Sequence, residues 1–234
     1  MVMATMATAT SELTQHAVRR SVLGVLFLAI VLFGPAGTLE FWPAWIYGFV
    51  FVAGTGALSI YFLLYDPELI RRRMHAGPRA ETEPAQKIII NLVLTGFLLL
   101  MIIPGLDCRW QWSNVPAWLI LVSNDIVALS FAVFFFVMKQ NSFAASTVTV
   151  EPNQPVVSTG LYGIVRHPMY SGALLLVIFT PLALGSYWGL LVVALVIPAL
   201  IWRLLDEERF LKLNLPGYTD YCRKVRFRLI PYLW

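Results

Sequence analysis

The sequence predicts an all-α, polytopic membrane helix bundle of about six transmembrane helices, and three observations predict it. Apolar residues fill 59% of the 234 positions and charged residues only 13%, whereas soluble domains carry about a quarter charged. The mean hydropathy of +0.73 is concentrated in separate apolar runs, each near the roughly 20 residues that cross a bilayer core. Lys and Arg cluster between alternate runs, the asymmetry expected of a multi-pass protein.

Residues 1–20 are Ala/Thr-rich, basic only at Arg19 and Arg20, and read as a tail without a cleavable signal peptide. The first helix is expected over Ser21–Leu39, then an aromatic turn at Phe41, Trp42 and Trp45, of the kind found at headgroup level. The second spans Ala44–Tyr65 and is stopped by Asp66-Pro67. The third covers Lys87–Leu106 and the fourth Val115–Met138. Pro168 suits an early helix position, so a fifth helix is expected from there to Leu184. A Gly185-Ser186 turn leads to a sixth that ends near Leu205, the two forming a C-terminal hairpin. Three regions follow: the 1–20 tail, the 21–138 bundle and a 139–234 region that holds the polar motifs.

Of the 17 Lys and Arg, only Arg109 falls on one side of this arrangement. The crowded side is then cytoplasmic and carries both termini. Arg71, Arg72, Arg73 and Arg79 lie between the second and third helices, and the Arg71–Arg73 run reads as a topology determinant that meets lipid headgroups. Cys108 and Cys222 fall on opposite sides, and two Cys with three His make no metal-ligand cluster. Asp125, inside the fourth helix, is expected to make a structural hydrogen bond to a neighbouring helix, since an ionisable group in a span needs a partner. Residues 206–228 read as an interfacial helical tail in two pieces, broken at Pro216-Gly217, or as a lid over a site.

Two constellations could do chemistry. In Gly160-Leu-Tyr-Gly-Ile-Val-Arg-His-Pro-Met-Tyr-Ser-Gly172, Arg166 and His167 precede a helix start whose free N–H groups favour an anion. The same residues also suit a plain loop-to-helix junction. In Arg203-Leu-Leu-Asp206-Glu207-Glu208, Arg203 and Glu207 share a helical face. Three acids at a helix end oppose the dipole, so they face either a cationic ligand or basic partners such as Arg209, Lys212 or the tail.

In their order and spacing, these motifs, followed by Gly217-Tyr-x-x-Tyr221 and Arg228-Leu-Ile-Pro231, resemble the isoprenylcysteine carboxyl methyltransferase family. They are similar, more loosely, to the membrane phospholipid N-methyltransferases. The resemblance covers about residues 139–234. It implies methyl transfer from S-adenosylmethionine, with Tyr162, His167, Pro168, Met169 and Tyr170 against the cofactor. Gly160 and the stretch Gln154, Val156 and Val157 would join them. Glu207 would take the cofactor's amino group, Glu208 would complete the acidic pair, and Arg203 would face the methyl acceptor, with Arg166 a second catalytic candidate. The implied partners are a lipidic or amphiphilic small molecule and membrane lipids, with no nucleic acid; oligomeric state leaves no mark on the sequence. An Arg beside the acceptor favours a carboxylate over an amine. An NADPH-dependent membrane reductase of the steroid-reductase type, or a non-enzymatic transporter or scaffold, are the rival readings.

Overall fold

The computed structural model describes residues 2–74, 84–144, 147, 149–151 and 153–234, so Arg79 lies outside the described residues. It is all-helical: α1 Val2–Ala36, α2 Trp42–Tyr65, α3 Pro67–Met74, α4 Pro84–Trp110, α5 Ala117–Gln140, α6 Pro168–Ala183, α7 Gly189–Asn214 and α8 Tyr218–Lys224, with one 3₁₀ turn at Gly160–Gly163. Among the described residues, five helices are long and apolar enough to cross a membrane, and α6 is a shorter apolar helix of 16 residues. The predicted hairpin is therefore α6 and α7, with one short arm.

Why these segments are helices follows from their composition. Leu, Ile, Val and Phe dominate each run, and in lipid a helix is the one local structure that satisfies its own backbone. The bundle interior has two apolar clusters. One joins Leu32 of α1, Tyr47 of α2, Met101 of α4, Phe131 of α5 and Leu184 at the end of α6. The other joins Leu100 of α4 and Val177 of α6 to Val193, Val196 and Leu200 of α7. Close approach is set by small residues: a Cβ on Gly96 of α4 would overlap Val196, and one on Gly54 of α2 would overlap Phe131. Large side chains such as Phe49 and Leu195, both 74% exposed, line the outside, where lipid is their natural solvent.

Buried polar groups tie the helices at fixed points. Tyr47 and Thr180 hydroxyls meet at 3.1 Å across α2 and α6. The far end of the hairpin is pinned by Asp107, only 2% exposed. Its carboxylate accepts from the Ser113 backbone at 2.7 Å, the Ser113 hydroxyl at 2.6 Å and the Ser186 hydroxyl. Beside it, exposed Trp110, Trp112 and Trp188 form an aromatic group.

Four expectations change. Helix α1 begins at Val2, so the expected tail is helical along its backbone. Asp66 does not simply stop α2. Its carboxylate accepts from the Leu69 backbone N–H at 3.1 Å, so Asp66-Pro67 is an N-cap with Pro at N1 and opens α3. Helix α7 runs to Asn214, nine residues beyond Leu205, so the acids lie inside it rather than at its end. Asp125 faces outward; Asn124 beside it makes the interhelical bond, donating to the Ala183 carbonyl at 3.2 Å.

Candidate active site

Hairpin register places the two constellations side by side. Tyr170 and Arg203 each lie about fifteen residues from the Gly185–Trp188 turn, or roughly 22 Å at helical rise, so antiparallel packing levels them. Tyr170 donates to Glu207 Oε2 at 2.5 Å, and Arg203 hydrogen-bonds the same tyrosine hydroxyl. Arg203, 8% exposed, also donates from Nη1 to Gln86 Oε1 of α4 at 2.8 Å. Gln86 is fully buried and donates in turn to Asp206. Its amide thus uses both ends to hold Arg203 between α4 and α7.

Helix α6 opens at Pro168, where a missing N–H costs nothing. The residues before it pair with the C-terminal segment: Arg166 and His167 N–H groups donate to Phe227 and Arg228 carbonyls at 2.9 Å each, and the Ser171 hydroxyl donates to Leu229 O at 2.6 Å. Glu208, its side chain 3% exposed, lies 2.9 Å from Arg166, 3.2 Å from Arg228, 3.5 Å from Lys212 and 3.6 Å from His167. A carboxylate this buried is sustained only by such partners. The two adjacent acids therefore divide the readings: Glu208 answers basic partners, while Glu207 faces a cavity.

That cavity has a volume of about 310 Å³, within the range of small-molecule sites. Its loop wall is Gln154, Val156, Val157 and Tyr162; its α6 wall is Arg166, His167, Pro168, Met169 and Tyr170; its α7 wall carries Arg203 and Glu207. Ile90 and Val93 of α4, Ala173 and Leu200 make an apolar end. Tyr218 and Tyr221 of α8 close another side, and the Tyr221 hydroxyl donates to the Tyr162 carbonyl at 2.8 Å. Two predicted site residues do not line the cavity. Glu208 is in the ionic cluster, and Gly160 stands behind the wall with φ +58°, where a Cβ would overlap the Gln140 side chain. Gln140 there accepts from the Leu161 N–H at 2.9 Å, so Gly160 shapes the 3₁₀ turn that presents Tyr162.

Asn141 donates to the Tyr162 hydroxyl at 3.2 Å. Burial, the larger influence, pushes that phenol up to about 12. Burial also raises Tyr218 and Tyr221 well above the usual phenol range. All three keep their protons near neutral pH.

Sequence reading missed Gln86, Asn141 and Arg73 as cavity or network members. Arg73 is the instructive case, because the Asp-Pro-Glu string before it is a legible helix start. The cavity suits a ligand with both charge signs: Glu207 offers an anion, Arg73, Arg166 and His167 offer cationic or polar donors, and Val156, Leu211 and Leu215 offer apolar cover. An S-adenosylmethionine molecule, with its ammonium, carboxylate and flat base, fits that donor set.

No curated protein matches the chain. Residues 118–215, from the start of α5 through the loop wall to the end of α7, match the family model described as phospholipid methyltransferase, which supports a membrane methyltransferase.

Proposed function

We propose that this chain is an S-adenosylmethionine-dependent methyltransferase that works at the cytoplasmic face of a membrane on an amphiphilic acceptor, with a carboxylate acceptor favoured over an amine. The observation that carries the reading is the cavity in which Glu207 and Arg203 converge on Tyr170 while an apolar end reaches between α4 and α7. Tyr162, Met169, Tyr170 and Glu207 would hold the cofactor, Glu207 by its ammonium, with Gln154, Val156 and Val157 along the loop. When bound, S-adenosylmethionine supplies a methyl group on an electron-poor sulfonium.

The chain's own contribution is alignment and desolvation. Arg203, hydrogen-bonded to Gln86, would hold an acceptor carboxylate, which is already ionised and needs no base. Opposite charges that cancel in the transition state react faster where water is excluded, and Ile90, Val93 and Leu200 keep that end dry. An amine acceptor must first lose a proton. Tyr162, held near 12, does not take one at neutral pH, and a guanidinium beside an amine opposes its approach. The family match supports a lipid as the amphiphile, and the isoprenylcysteine carboxyl methyltransferase pattern supports the carboxylate.

Incubating membranes that contain the protein with methyl-labelled donor and a total lipid extract, then identifying the labelled species, tests the reading. A base-stable label would exclude the carboxyl ester, and no label in any lipid fraction would exclude the lipid acceptor. Calorimetry in detergent separates the reductase alternative: binding of NADPH but not S-adenosylmethionine would remove the methyltransferase. Glu207→Gln is expected to weaken the donor about tenfold or more, the effect of one charge-assisted hydrogen bond.

A further inference from the structure

The end of α5 grips the turn that carries Tyr162 with two consecutive side chains. Gln140 Oε1 accepts from the Leu161 N–H at 2.9 Å, and Asn141 Nδ2 lies 3.2 Å from the Tyr162 hydroxyl. From the other side, the Tyr221 hydroxyl donates to the Tyr162 carbonyl at 2.8 Å. Asn141 and Tyr162 both line the cavity. The tyrosine is therefore held at its backbone and at its tip, and the contact at the tip has a direction.

That direction is set by a neighbour. Asn141 closes α5, its own N–H donating to the Val137 carbonyl at 3.0 Å. Its Oδ1 accepts from the Phe143 backbone N–H at 3.0 Å, as in an Asx turn. A backbone N–H can only donate, so the amide oxygen has to face Phe143 and the amide NH2 has to face Tyr162. The NH2 group is a donor, so the phenol oxygen is the acceptor of this pair. Its own proton is thereby turned away from Asn141. Burial pushes Tyr162 up to about 12, so the proton stays on at neutral pH. Among the described residues, none accepts it.

We propose that Asn141 is a positioning residue: it commits the Tyr162 hydroxyl to donate into the cavity, so that Tyr162 reads a hydrogen-bond acceptor of the bound cofactor and not an ammonium or other N–H group. The inference rests on the methyltransferase reading and deepens it, from a tyrosine that contacts the cofactor to the polarity of that contact. An acceptor oxygen or nitrogen gains a bond that is already aimed, with no side chain left to order. An N–H group in the same place would meet a proton instead of a lone pair.

Asn141→Asp tests the polarity with little change of shape. One carboxylate oxygen still accepts from the Phe143 N–H, which keeps the turn. The other accepts the Tyr162 proton and withdraws it from the cavity. Calorimetry with S-adenosylmethionine, on the full chain in detergent, compares the wild type, Tyr162→Phe, Asn141→Asp and the double variant. Tyr162→Phe should lower affinity about tenfold, the scale of one hydrogen bond, and Asn141→Asp should do the same. In the Tyr162→Phe background the effect of Asn141→Asp should vanish. An added charge or a distorted wall acts whether or not the hydroxyl is present, so an equal effect of Asn141→Asp in both backgrounds overturns the inference. Wild-type affinity in either single variant also overturns it. A wild-type protein that does not bind S-adenosylmethionine removes the methyltransferase reading and the inference with it.

Discussion

Gln86 has no place in either sequence motif, yet it decides where Arg203 points. Its carbonyl accepts from Arg203 at 2.8 Å and its amide donates to Asp206. With no exposure to solvent, it is an amide that cannot drift to another partner without leaving a buried polar group unmade. Gln86→Met keeps the volume and removes both bonds. Donor affinity measured by calorimetry is expected to stay unchanged, while kcat with the lipid extract falls about tenfold, the scale of a misaligned reacting group. Wild-type kcat in Gln86→Met, alongside a crippled Arg203→Ala, would show that Arg203 needs no such support. Signals for Arg203 and Glu207 were legible because charge and helical spacing mark them locally, whereas Tyr170 was named only through the family resemblance. Gln86 was not, because a lone amide near the start of an apolar run looks like any headgroup-level residue until α4 is placed against α7.

Among the elements, the C-terminal segment is the least legible and one of the most consequential. Sequence reading found a tail with a break at Pro216-Gly217, and the structure has that break, with Gly217 at φ +84° before α8. What it could not find is the pairing of 227–229 with the start of α6, because backbone bonds between distant segments leave no local pattern. Continuation of α7 past its acids was missed for the same reason. Glu208 looks unfavourable in isolation and is favoured only once Arg166 and Arg228 arrive from elsewhere. Glu208→Gln should leave the buried Arg166 without its acid and lower stability by about 3 kcal/mol, read as a lower melting temperature in detergent. A melting temperature equal to wild type would mean the cluster is ornamental. Helix α3 is the opposite case: its start was written in Asp66-Pro67-Glu68, and reading Pro as a stop concealed it.

For the molecule as a whole, the fold class was legible because composition and run length speak directly to the choice between water and lipid as solvent. The proposed orientation rests on where the basic residues gather, and two free cysteines test it. In sealed vesicles, a membrane-impermeant thiol reagent should reach Cys222 only from the cytoplasmic side and Cys108 only from the other. Labelling of both from one side would break the proposed topology. Both cysteines are partly exposed.

The 16 residues of α6 rise only about 24 Å, while a hydrocarbon slab is about 30 Å thick. Its far end is moored by Asp107 and by tryptophans of the sort that settle at an interface, so the shortfall falls on the His167-Pro168 end. On the proposed reading, the reacting centre then sits below the headgroup plane. If that reading holds, turnover should depend on bilayer thickness, longer-chain lipids burying the junction further and shorter-chain ones lifting it toward the aqueous phase.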